Sequence, residues 1–185
     1  MNRDPRPAEF AAPRLDPNAL RRVTLRFFVL LAALAAIGCS GSGSGSGPTS
    51  PQLLDVATVE SQSFELVNRA RDDAGVGPLA FDAELSRIAR EHSEQMRDRG
   101  FFSHKDPNGD GLRSRLKAHG VTFSAAGENL ALVNDTGNPA GLAHRQLLDS
   151  PEHRDVMLAG RFVLGGVGVA QSGSSYWITQ IFLKP

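Results

Sequence analysis

The chain has 185 residues, 20 Lys and Arg balanced by 20 Asp and Glu, 41% hydrophobic residues and a single cysteine. One cysteine excludes a disulfide framework, and the charge balance gives no sign of a nucleic-acid-binding protein. The length allows one domain of ordinary size beside shorter accessory segments.

Residues 1–38 read as an export signal. Arg21, Arg22 and Arg26 form a positive region ahead of Phe27–Gly38, an apolar run of 12 residues that is too short for a permanent membrane span. The run ends Ala36-Ile37-Gly38-Cys39, which resembles the bacterial lipobox, so Cys39 is the expected lipidation site and the membrane the expected partner of its acyl group. Arg21-Arg22-Val23-Thr24-Leu25-Arg26 partly resembles a twin-arginine export motif, with Thr where that motif prefers Phe. Residues 39–51 follow as a Gly/Ser and Pro linker, which has nothing to bury and acts as a leash. The expectation is an exported, membrane-anchored lipoprotein, periplasmic or displayed on the cell surface.

Residues 52–185 form the folding domain. Residues 1–38 carry six basic and three acidic side chains, which leaves 14 basic against 17 acidic, a net charge near −3. Val56, Val59, Ser63, Leu66, Val67 and Ala70 recur at three- and four-residue steps, so 55–73 is predicted helical. Gly75 to Pro78 breaks that helix, and Asp82 caps a second one whose buried stripe is Leu85, Ile88, Ala89, His92 and Met96 and which ends at Gly100. Residues 101–110 read as loop and Leu112–His119 as a short helix. Residues 127–133 read as the end of a loop followed by a strand or a helical turn. Pro139–Asp149 reads as a helix. Residues 165–170 and 176–183 are β-type runs joined by a turn over 171–175. Helices first and an antiparallel hairpin last argue an α+β fold.

Three strings carry the chemistry: Phe102-Ser103-His104, Gly127-Glu128-Asn129-Leu130-Ala131, and Ser150-Pro151-Glu152-His153-Arg154. Two imidazoles and a carboxylate can hold a divalent metal with one position open, or work as an acid/base group. They can also simply hydrogen-bond across a cleft and fix two loops. His92, on an apolar stripe, reads as a hydrogen-bonded core residue, while His119 and His144 read as exposed. Asp106-x-Asn108-x-Asp110-Gly111 imitates half of an EF-hand loop, but its twelfth position is Lys117, so it reads as a polar turn. No nucleophile string stands out: Ser103 and Ser150 only neighbour the two histidines.

These strings, with Asn68-Arg69, Gly77-Pro78-Leu79, His92-Ser93, Gly166-Val167-Gly168 and Trp177-Ile178-Thr179-Gln180, stand in an order that resembles the CAP superfamily. That group holds the cysteine-rich secretory, antigen 5 and pathogenesis-related proteins, and the resemblance is to its cysteine-free bacterial members. It implies an α-β-α sandwich with a central antiparallel sheet between helical layers. It also implies a cleft with a tetrad of two His and two Glu. By position these are His104, His153 and Glu128, with Asn129 beside them. The second Glu falls at or near Ser150, where this chain has none; Asp149 and Glu152 are close. The tryptophan often found three residues before Ser-Pro is Leu147. The expected function is therefore a binding module for a small ligand, a lipid or an envelope component, monomeric, with Zn²⁺ or another divalent cation as a candidate cofactor on His104, Glu128 and His153. A metal-dependent, peptidase-like hydrolase of the envelope is the alternative. Phe101, Phe102, Phe123 and Phe162 are candidates for an apolar wall near the histidines, or for the core.

Overall fold

A computed structural model describes residues 54–135 and 137–185. The expected export signal, the expected linker and the expected lipidation site, Cys39, lie outside the described residues. In chain order come helix α1 (Val56–Asp73), strand β1 (Ala80–Phe81) and helix α2 (Ala83–Arg99). Helix α3 (Leu112–Ala118), strand β2 (Ala125–Asn134) and helices α4 (Pro139–Asp149) and α5 (Pro151–Met157) follow. Strands β3 (Leu164–Ser172) and β4 (Ser175–Lys184) close the chain.

Local chemistry sets the helix ends. Asp55 accepts the Thr58 N–H at 3.0 Å and Asp82 the Leu85 N–H at 2.9 Å, so each carboxylate satisfies an otherwise orphaned donor in a first turn. Gly100 ends α2 at φ 67°, a left-handed conformation that glycine adopts without strain. Asn138 caps α4 with Pro139 in its first turn.

The strand order is β1-β3-β4-β2. β2, β4 and β3 pair antiparallel, as the family resemblance implies, and the two-residue β1 adds a short parallel pair, Ala80 with Leu164 and Phe81 with Gly165. The sheet is therefore mixed. β2 runs ten residues, and its middle is buried on both faces.

Alternation along the strands sends side chains to two different layers. Val167 and Val169 of β3, with Tyr176, Ile178 and Phe182 of β4, pack against α1, α4 and α5. On the other face Ile181 and Leu183 meet Leu85, Ile88 and Ala89 of α2 and Leu116 of α3. The result is helix, sheet, helix.

Three details hold the layers together. Gly166 and Gly168 face α2, and a Cβ on Gly166 would come within 2.6 Å of the Leu85 carbonyl carbon, so helix backbone lies directly on strand backbone. Arg71, 1% exposed, sends its guanidinium to the carbonyls of Gly77, Met157, Ala159 and Phe162. Tyr176 Oη donates to the Leu54 carbonyl at 3.2 Å and so ties the start of α1 to β4.

The outer edge of β3 is covered by side chains. Ser86 Oγ accepts the Val167 N–H at 3.2 Å, and Glu60 Oε1 accepts the Val169 N–H at 2.9 Å while its carboxylate holds Arg90. An edge strand blunted in this way cannot take on a further strand.

Candidate functional site

Each predicted site residue has its own structural support. His104 sits in the loop after α2. That loop is shaped by Asp106, whose Oδ1 accepts the N–H groups of Asn108 at 2.8 Å and Asp110 at 2.9 Å. The acidic string is thus a self-bonded polar turn, and the residues from Leu112 onward are helix, as expected of a sequence that only imitates an EF-hand. Glu128 and Asn129 sit in β2. His153 lies in the first turn of α5, three residues after Ser150.

The fold brings His104 and Glu128 together: Nδ1 of His104 lies 2.9 Å from Oε1 of Glu128. The other carboxylate oxygen, Oε2, is held by the Arg115 guanidinium from α3. Arg115 also donates from Nη1 to the His104 carbonyl at 3.1 Å, so one arginine fixes both the carboxylate and the loop that carries the histidine. The side chain of Glu128 is 3% exposed and that of His104 57%, so a buried anion steers a solvent-facing ring.

His153 is oriented differently. Its Nδ1 lies 2.7 Å from Ser150 Oγ, at the position where the family's second Glu is expected. Neither Asp149 nor Glu152 hydrogen-bonds the ring among the described residues. Asn129 is fully buried and donates from Nδ2 to the His153 carbonyl at 3.0 Å, which ties β2 to α5. Asn129 therefore supports the cleft from behind.

His104 acts on the His153 ring. Burial pulls the His153 pKa below its ordinary value, and positive charge on His104 lowers it further, against a smaller upward pull from Glu152. Both Nδ1 atoms have protein partners, and no hydrogen bond reaches either Nε2 among the described residues. This is the usual arrangement of imidazole ligands, one nitrogen oriented by the protein and the other offered outward. Glu128 does not fit the predicted three-donor set as well. Both its oxygens are engaged, one by a guanidinium whose positive charge repels a cation. Among the described residues no group of three or more His, Cys, Asp or Glu is arranged to hold a metal.

Beside His153 a shallow pocket of about 210 Å³ is lined by Phe102, Leu130, Leu132, Leu147 and Ser150, among others. Phe102 is 49% exposed and Leu132 38%. Of the four phenylalanines, Phe102 alone lines this pocket. Phe162 is core, Phe123 packs against the α2–α3 cluster, and Phe101 lies against His92. Leu147, in the tryptophan position, is buried beneath it.

The other histidines separate. His92 is fully buried, with Nε2 3.0 Å from the Ser103 carbonyl, so it braces the loop that leads to His104. His119 and His144 are not the exposed residues the sequence suggested. His119 is partly covered, its ring between Arg87 and Glu91. His144 is half-buried because α4 packs on α1, and its Nδ1 is buried without a partner.

Burial is the first cause that pulls the His92 pKa down, with Arg115 adding to it and Glu128 opposing. The unfolded chain then binds a proton more readily than the native one. This contribution to stability is present above the ordinary histidine value of about 6.5 and is lost as pH falls through the depressed native value. Urea midpoints measured between about pH 7.5 and 5 should therefore fall with acidification, and less steeply in His92→Gln. Equal slopes would show that His92 is not a source.

A family model described as the cysteine-rich secretory protein family, CAP, matches residues 64–182. The chain belongs to the CAP family. Its CAP domain is 34% identical over 129 residues to the protein YkwD of Bacillus subtilis, a match covering 70% of this chain and 49% of that one. It superposes with a TM-score of 0.60 on the crystal structure of an extracellular protein containing an SCP domain from Bacillus anthracis. That pair is 32% identical over 70% of this chain and 41% of the other. An outer surface protein of Borrelia burgdorferi shares the fold at a TM-score of 0.64 and 17% identity, over 71% of this chain and 96% of that one. The chain spans less than half the length of the two Bacillus relatives. The Bacillus anthracis neighbour is an extracellular protein and the Borrelia one an outer surface protein, and no helix among the described residues of this chain is long and apolar enough to cross a membrane.

Sequence patterns assign no role to Arg115, which links loop, strand and helix. Nor did they pair Ser150 with His153, although the i, i+3 spacing at a helix start was a usable signal.

Proposed function

We propose that the chain is an exported CAP-domain binding module, tethered through lipidated Cys39, whose cleft takes a small ligand, a lipid or an envelope component. The observation that carries this reading is the pocket at His153. Leu130 and Leu147 supply an apolar floor, Phe102 and Leu132 a half-exposed rim, and Ser150 and His153 a polar end. Sites of this kind bury the apolar part of a ligand and orient it through few polar groups. The outward Nε2 atoms of His104 and His153 would be the donors for a divalent cation such as Zn²⁺. Glu128 would act behind them, as the acceptor that orients His104.

The test uses the full-length chain in detergent micelles. Decanoate should shift the methyl resonances of Leu130 and Leu147 saturably, and Zn²⁺ calorimetry should show one site that disappears in His104→Ala/His153→Ala. No methyl shift would overturn the pocket reading; equal Zn²⁺ binding by both proteins would overturn the cation reading.

One observation favours the hydrolase alternative, the Ser150 Oγ–His153 Nδ1 contact of 2.7 Å, a nucleophile beside a base. It lacks the orienting third group, and Glu128 is engaged by Arg115. Binding is therefore the stronger reading.

A further inference from the structure

The two edges of the sheet are finished differently. In an antiparallel ladder, alternate residues aim their backbone groups at the neighbouring strand and away from it. Asp135 donates to the Ser174 carbonyl at 3.1 Å, and Asp135 and Ser174 continue the β2–β4 register. Odd-numbered β2 residues therefore face β4, and even-numbered ones point their N–H and C=O outward. The β3 edge meets Ser86 and Glu60. The outward groups of Leu130 and Leu132 meet no partner among the described residues. Both residues line the pocket that runs between Phe102 on one side and Ser150 and His153 on the other. The floor of the cleft thus includes a strand edge whose outward backbone groups are unpaired, nearly covered at Leu130 and half-exposed at Leu132.

We infer that the cleft binds an extended peptide, which adds as a further strand along the outer edge of β2. This deepens the binding reading above and rests on it. The complement of a row of alternating unpaired N–H and C=O groups is the backbone of another strand, which no lipid chain or simple ion supplies. Backbone pairing at Leu130 and Leu132 gives the affinity. Phe102 and the Leu132 side chain favour an apolar residue in the ligand, and His153 lies at the side of its path.

The test uses full-length chain in micelles and the blocked peptide acetyl-Thr-Val-Leu-Val-Thr-amide. Two further versions carry N-methyl groups on alternate residues, one set for each edge of the peptide. Binding should survive methylation of one edge and weaken about tenfold or more on methylation of the other, since one lost hydrogen bond is worth up to about tenfold. Amide exchange at Leu130 and Leu132 should slow when the peptide is bound. Leu132→Pro removes one outward donor and none of the β4 ladder, at an edge where proline is tolerated. It should weaken the peptide about tenfold, whereas Leu132→Ala, which keeps the N–H, should weaken it less.

Equal binding by both methylated peptides, or no peptide binding while decanoate still shifts the Leu130 and Leu147 methyls, overturns strand addition and leaves the pocket reading standing. Silence from both probes overturns both readings. A chain that is dimeric in sedimentation and becomes monomeric as Leu132→Pro would make the occupant a second copy, and would overturn the peptide assignment.

Discussion

Gly168→Ala should cost about 3 kcal/mol or more, at the upper end of what one added methyl does to a packed core. The added Cβ would fall inside the van der Waals radii of the Ala89 carbonyl carbon and the Arg90 amide nitrogen. These are backbone atoms of α2, so no rotamer change relieves the clash, and helix and strand must separate. Separation also breaks the Ser93 hydroxyl's bonds to the Gly168 carbonyl at 3.0 Å and to Thr179 Oγ1 at 2.8 Å. Domains of this size are stable by about 5–15 kcal/mol, so the loss is a large share. Gly77→Ala is the control. Nothing lies within 4 Å of its added Cβ, and the change should stay within about 0.5 kcal/mol. Urea denaturation of the two variants beside wild type decides it, and equal midpoints would show that the α2–β3 contact is looser than described.

Arg71→Met should cost about 3–5 kcal/mol. Four carbonyls lose a donor; Ala159 keeps the Phe162 N–H at 3.2 Å, and the other three are left unpaired, each costing about 1–3 kcal/mol before relaxation and water entry. Arg71 Nε reaches Gly77 at 2.9 Å, Nη1 reaches Met157 at 2.8 Å and Ala159 at 3.2 Å, and Nη2 reaches Phe162 at 3.0 Å. No carboxylate pairs with it among the described residues, so its charge is dispersed over peptide dipoles. Arg71→Lys should recover less than half of the loss, because one ammonium cannot span a fork of carbonyls. The loss should appear first as proteolytic cutting between Met157 and Leu164, the segment the guanidinium gathers. A midpoint within about 0.5 kcal/mol of wild type for Arg71→Met would overturn this role.

Helices α1, α2 and α4 were legible because each has a capped start and an apolar stripe, whereas the seven-residue α5 was not predicted. Asp82 and Gly100 bracket α2, and Pro139–Asp149 matches α4 residue for residue. The terminal hairpin was legible from its β-branched and aromatic runs, with the turn narrowing to Gly173 and Ser174. β2 was half legible. Glu128 to Ala131 are all buried, so no period of two marks them as strand. The parallel pair of β1 was invisible, since two residues carry no period. Arg71 was missed because a pattern that scores apolar residues passes over a charge on the stripe of Ser63 and Val67. His104, Glu128 and His153 were legible as strings. Their roles were not, because the separation of Glu128 from the outward nitrogens is made by Arg115, 13 residues away in sequence.

The Tyr176–Leu54 contact sets where load enters the domain. A pull on the chain ahead of Leu54 is met first by a side chain of β4, the strand bonded along its length to both β2 and β3. The force then runs into the middle of the sheet. Load applied at Leu54 is thus shared among three antiparallel strands and not carried by one edge.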